Sequence, residues 1–190
     1  MNSSMPVDIQ RANTAAWREE FLDLRFPEFR MSGPVDEENE TLALLPGNIV
    51  MFPEFDFSIA LIAGFHRSGV LCIIPISPHS APAMEFELRL SDSAFVLQTW
   101  NTRFIRKKDI PQIIPVEKLG QDDFELALKH SRFTFEGEKF FSENIGQSLN
   151  LFDPEDEVLE RYVDQQYQMF PECSVRKPRR PRFIPSMGIP

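Results

Sequence analysis

Apolar and polar positions follow two rhythms along this chain. Residues 14–25 place Trp17, Phe21 and Leu24 at helical spacing, with Thr14 set to cap the first turn and Pro27 to stop the last. From Leu45 the apolar runs shorten, divided by proline and glycine. Ile49–Phe52 predicts a first strand and Ser58–Phe65 a second, joined to the next by a hairpin loop, His66–Gly69. Val70–Ile76 is apolar at nearly every position and predicts a central strand. Met84–Leu90 alternates, which turns Met84, Phe86, Leu88 and Leu90 inward and Glu85, Glu87 and Arg89 outward. Phe95–Trp100 and a short stretch near Arg103–Arg106 read as further strands.

Pro111 and Pro115 punctuate the next stretch. Asp122–Lys129 predicts a short helix, with acids in its first turn and Lys129 in its last. Phe133–Phe135 and Lys139–Phe141 predict an added hairpin. Residues 154–170 carry the clearest helical signal, with Asp153 as cap, Pro154 in the first position and a stripe of Val158, Leu159, Tyr162, Val163, Gln166 and Phe170. Short linked strands followed by a helix predict a mostly β fold of α+β class, a small barrel with helices at both ends. The expected segments are an N-terminal helix and acidic linker over 1–43, the barrel with its closing helix over 44–130, and a hairpin plus acidic amphipathic helix over 131–173. A basic, proline-rich tail over 174–190 is expected to be mobile.

Composition narrows the classes. The chain has 190 residues, 42% hydrophobic and 26% charged, which suits one ordinary globular domain with arms. No apolar run reaches the roughly 20 residues of a membrane span, and the N-terminus does not read as a signal peptide. Two cysteines, Cys72 and Cys173, and three scattered histidines, His66, His79 and His130, have no metal-ligand spacing, so no metal and no cofactor are expected. A reduced, cytoplasmic protein is the plain expectation. The net charge of −9 argues against a protein that coats nucleic acid, but it is unevenly spread. Residues 131–175 are strongly acidic, and the last fifteen residues carry five basic and no acidic side chains.

Three pieces of the middle segment carry a family resemblance: Leu45-Pro-Gly-Asn-Ile-Val-Met-Phe52, Cys72-Ile-Ile-Pro-Ile-Ser77, and Ile114-Pro-Val-Glu-Lys-Leu-Gly-Gln-Asp-Asp-Phe124. In order and spacing they resemble the MazF/PemK-like toxin family, over residues 45 to about 130. The resemblance implies an SH3-like barrel of five to six strands with a C-terminal helix, in a cytosolic bacterial protein that is commonly a homodimer. It further implies metal-independent endoribonuclease activity on single-stranded RNA, checked by an antitoxin, with an arginine and a Thr or Ser beside the attacked phosphate. Ser77 falls at the Thr/Ser position. The family's Arg-Pro before the second strand is replaced here by Phe55-Asp-Phe-Ser58, which has an acid and no arginine.

The residues themselves offer further candidates. His79, two positions after Ser77, could act as general base, so Ser77 and His79 are the candidate catalytic pair. Arg67 in the hairpin loop could stand in for the missing arginine. Trp100, Asn101 and Arg103 join a stacking ring, an amide and a guanidinium, a set suited to single-stranded RNA. Arg106, Lys107 and Lys108 read as a solvated run. A second reading, from another class, is a non-catalytic module that keeps the barrel and holds a protein partner through the acidic helix and basic tail.

Overall fold

The most apolar run of the sequence becomes the hub of the fold. In the computed structural model, which describes residues 5–23, 44–55, 58–65, 69–91, 95–110, 112–138, 140, 142–149, 152–153 and 155–169, Val70–Ser77 forms a strand paired along both edges. In chain order the strands are β1 (Asn48–Phe52), β2 (Ser58–Phe65), β3 (Val70–Ser77), β4 (Glu87–Arg89), β5 (Val96–Gln98), β6 (Arg103–Arg106) and β7 (Ile114–Lys118). Every strand pair is antiparallel, and the order is β4-β5-β3-β2-β1-β7 with β6 also on β3. One edge of β3 takes β2. The other is shared: Val70–Ile73 pairs β6, and Ile76–Ser77 pairs β5. A strand shared by three partners must be apolar on both faces, which is what the run Leu71–Ile76 supplies.

Among the described residues three helices complete the α+β fold: α1 (Met5–Leu22), α2 (Gln121–Glu136) and α3 (Glu157–Gln168). Among the described residues the seven-stranded sheet is not closed into a barrel, since no pairing joins β7 to β4 or to β6. One sheet face buries Ile49, Met51, Leu61, Ile74 and Ile76 with Ala127 of α2. The opposite face buries Val50, Phe52, Ile62, Leu71, Ile73 and Ile105. A third cluster joins Trp17 and Phe21 of α1 to Leu159, Tyr162 and Val163 of α3, and includes Trp100.

Several expectations are corrected. Helix α1 begins nine residues before Thr14, which is therefore no cap. Thr14 instead donates to the Ala83 carbonyl at 3.0 Å and accepts from the Gln147 amide at 3.0 Å, docking the helix on two loops. Helix α2 runs through Phe133 and Phe135 to Glu136, so no hairpin forms over 133–141. Its end is set by Gly137, whose φ of 73° is left-handed and returns an amide to the Phe133 carbonyl. Helix α3 starts later than expected, capped by Asp156, whose carboxylate accepts from the Val158 and Leu159 amides at 3.1 Å. The strand expected over Met84–Leu90 shrinks to Glu87–Arg89, and Phe95–Trp100 leaves the sheet at a 3-10 turn over Thr99–Asn101. β7 was hidden by Pro115, which sits where the β1–β7 register shifts, on a sheet edge that tolerates a missing donor. Leu24, Arg67, Pro154, Phe170, Cys173 and the tail lie outside the described residues.

Two glycines make a matched test of this packing. A Cβ on Gly146 would stand 2.3 Å from the Met84 amide nitrogen, whereas one on Gly64 would meet nothing within 4 Å. Gly146→Ala should destabilise by about 1–3 kcal/mol or more, because backbone cannot step aside as a side chain can. Gly64→Ala should be neutral or slightly stabilising. Urea unfolding of both variants checks the pair; equal effects would contradict the described contact.

Candidate functional site

Ser77 ends β3, where the chain leaves the sheet, and it is 1% exposed. Its hydroxyl lies 3.1 Å from the Tyr162 hydroxyl of α3 and accepts the His79 amide at 3.2 Å. The His79 ring turns away, toward α1. It packs edge-on to Phe21 at 5.7 Å between centroids and lies 5.7 Å from Tyr162. Its Nδ1 is 3.9 Å from the Glu20 carboxylate, which also accepts the Ser80 amide at 2.8 Å and the Ser80 hydroxyl. Burial pushes the His79 imidazole below its ordinary value, and Glu20 pulls it partly back. Ser77 and His79 are thus neighbours, but the imidazole makes no hydrogen bond to the hydroxyl it would have to activate.

The three residues assigned to RNA stacking are also interior. Trp100 is 1% exposed, and its indole N–H donates to Glu87 Oε1 at 3.1 Å. A base needs an open ring face, and Trp100 has none. Asn101 donates to Gln98 Oε1 at 3.2 Å and to the Gln166 carbonyl at 3.1 Å. Arg103 donates from Nε to Asn101 Oδ1 at 3.0 Å and from Nη2 to the Tyr167 carbonyl at 2.6 Å. Its guanidinium also sits 4.7 Å from the Tyr167 ring centroid. Arg103 therefore serves to hold α3 against β6.

These side chains belong to one network centred on residues the sequence did not single out. Tyr162 donates to Glu87 Oε1 at 2.8 Å and faces Gln98 Nε2 at 3.0 Å. The second hydrogen of that Gln98 amide goes to Gln166 Oε1 at 3.0 Å. Glu87 Oε2 accepts the Ala83 amide at 2.7 Å. The protons balance with Glu87 as a carboxylate: three donors point at it, and Tyr162 takes two more from Gln98 and Ser77 while giving its own. Burial works the other way. Glu87 is wholly buried with no cation paired to it among the described residues, and its carboxyl is pushed up to about 7 despite those donors. Burial, and next to it the Glu87 charge, also raises the Tyr162 phenol, which stays neutral. The alternation over Met84–Leu90 turned Glu87 outward, and the structure turns it fully inward.

A second buried polar group braces α2. His130 Nε2 lies 2.9 Å from the Glu85 carbonyl, which can only accept, so Nε2 carries a proton. Its Nδ1 faces the Thr99 hydroxyl at 3.2 Å. Burial pushes this imidazole down to about 4. The Cys72 thiol is pushed up to about 11 by burial and stays protonated at neutral pH. Among the described residues no group of three or more His, Cys, Asp or Glu comes together as a metal site, and no helix is long and apolar enough to cross a membrane. No family model, no curated protein and no solved structure matches the chain.

Glu87 and His130 give opposite pH dependences. The Glu87 contribution to stability is full below pH 4.5 and is lost as pH rises through 7. The His130 contribution is full above pH 6.5 and is lost as pH falls through 4. Each is worth roughly 3 kcal/mol across its window. Glu87→Gln should therefore leave a protein more acid-labile than the parent between pH 6.5 and 4.5. His130→Asn should leave one that gains stability on acidification over the same range. Urea unfolding at stepped pH checks both, and parallel profiles in the two variants would contradict the assignment.

Proposed function

We propose that this chain is a non-catalytic interaction module built on a MazF/PemK-like, SH3-like barrel, and that it does not cut RNA. The observation that carries the reading is the closed state of Ser77. The hydroxyl that the resemblance places beside a phosphate is 1% exposed and occupied by Tyr162 of the chain's own helix. An attacked phosphodiester needs donors aimed at its developing charge. The partners of the Ser77 hydroxyl here are a neutral phenol and a backbone amide, with no arginine among them. The SH3-like barrel is the finer architecture of this proposal, and the sharing of one β3 edge between β5 and β6 supports it.

The same helix offers a docking face. Leu159, Tyr162, Val163 and Gln166 point inward, while Glu157, Glu160, Arg161 and Gln165 are exposed, as are Glu19 of α1 and Asp23 just after it, which leaves acids in the majority. An acidic surface of this kind selects a basic partner, with association rates that fall as salt rises. The partner class is a Lys/Arg-rich protein segment. An antitoxin-like protein is one such partner, and a second copy contributing its basic tail is another.

Full-length protein incubated with a mixed pool of single-stranded RNA should leave it intact, with chelator or with magnesium. Metal-independent cleavage that disappears in Ser77→Ala would overturn the proposal. In the positive arm, a fluorescent Lys/Arg-rich peptide should bind with salt-sensitive affinity. Glu157→Lys with Glu160→Lys should weaken that binding at least tenfold, since exposed charges act mainly through the summed field. Unchanged affinity would move the docking face elsewhere.

A further inference from the structure

We propose that α3 is a proton-controlled latch, closing on the sheet as Glu87 takes up a proton and loosening as Glu87 ionises. The geometry behind this is the way the carboxylate is enclosed. Trp100 and the Ala83 amide hold it from the sheet side, and Tyr162 of α3 caps it. Lifting α3 would give Glu87 water in place of one phenol, and an ionised carboxylate gains far more from water than a neutral carboxyl does. Gln98 and Asn101 also hold Gln166, Arg103 holds the Tyr167 carbonyl, and Leu159, Tyr162 and Val163 pack in one apolar cluster with Trp100 of the 3-10 turn. Apolar packing and amide hydrogen bonds do not change with pH, so Glu87 supplies a pH-dependent part of the balance.

The groups facing this cluster are few. Ser77 and His79 approach from the end of β3, Gln98 from β5 and Trp100 from the 3-10 turn. Helix α1 presents Trp17, Phe21 and Glu20, the last beside His79. It also presents Arg18, which pairs with Asp156 at the α3 cap, while Arg161 of α3 lies 5.2 Å over the Phe21 ring. Burial raises the Glu87 carboxyl and lowers the His79 imidazole from their ordinary values. His79 works in the opposite sense, since closing the helix over it expels a proton. The contribution of Glu87 must therefore be read as a difference between the parent and a variant that lacks the carboxylate. The latch rests on the enclosure of Glu87 alone and stands whichever partner the outer face of α3 binds.

The test is native-state hydrogen exchange of the full chain, with α3 amides as the reporter and α2 amides as internal control. After correction for intrinsic exchange, the ratio of α3 opening in the parent to that in Glu87→Gln should rise about tenfold between pH 6 and pH 8.5. That factor follows from a carboxyl that moves from 4.5 when open to about 7 when closed. A constant ratio would overturn the proposal, as would α2 amides that follow α3 in parallel, which would make the effect global unfolding. If Glu87→Gln does not fold, Tyr162→Phe keeps the ring and removes the α3 donor to the carboxylate. The rise should then continue to higher pH than in the parent, and an α3 profile identical to the parent's would overturn the latch.

Discussion

A carboxylate buried with no cation paired to it among the described residues organises this protein. Glu87 has no exposed surface, and it is held by the Tyr162 hydroxyl, the Trp100 indole and the Ala83 amide. A charge in that position is tolerated only where its surroundings supply donors. The donors come from three separate stretches of chain, so the requirement fixes their mutual positions. Tyr162 must stand over the sheet, Trp100 must turn its ring edge inward, and the chain at Ala83 must bend back toward the strand it precedes. An apolar residue at 87 would make none of these demands. Breaking one donor of such a network strands a buried charge, which is costly whatever the intact network adds to net stability.

Around that centre the two outer helices are mutually dependent. Trp17 stacks on Phe21 at 5.7 Å and meets the Tyr162 ring at 4.9 Å, so α1 and α3 bury their aromatic stripes on each other as much as on the sheet. Arg18 pairs with Asp156 across the same contact, at the residue that caps α3. Aromatic pairs at these separations add to plain area burial. This packing is also why the residues matched to a reactive site are closed. Ser77 and His79 lie beneath it, and a ligand could reach them only by displacing both helices or by parting them.

What the sequence disclosed depended on how local each signal was. The inward stripe of α3 and the two-sided burial of β3 came directly from spacing and apolar content, because both are properties of a single element. Glu87 was misplaced because alternation assigns faces only while a strand stays flat, and here Met84 is a lone bridge followed by a turn at Glu85 and Phe86. The aromatic and β-branched stretch Phe133-Thr-Phe135 has the composition of a strand. It stays helical because Phe133 stacks on Phe86 and Phe140 at 5.6 and 5.9 Å, a tertiary contact that no local pattern records. Trp100 illustrates the limit for the site. A tryptophan next to Asn and Arg has the same sequence signature on a binding surface as in a core, and only the Glu87 acceptor separates the two.

The docking of α1 has a consequence for how the chain is made. Asn13 donates to the carbonyls of Glu143 and Ile145, and Arg18 reaches Asp156, partners 130 to 138 residues downstream. Synthesis runs from the N-terminus, so α1 leaves the ribosome long before anything exists for it to rest on. Until α3 is made, its Trp17 and Phe21 have no partner there. Contacts of such sequence separation form late and slowly. Helix α1 is thus made well before α3 and is among the last elements placed, and the nascent chain carries an unsatisfied apolar stripe that invites a chaperone or a neighbouring chain until residues 143–163 emerge.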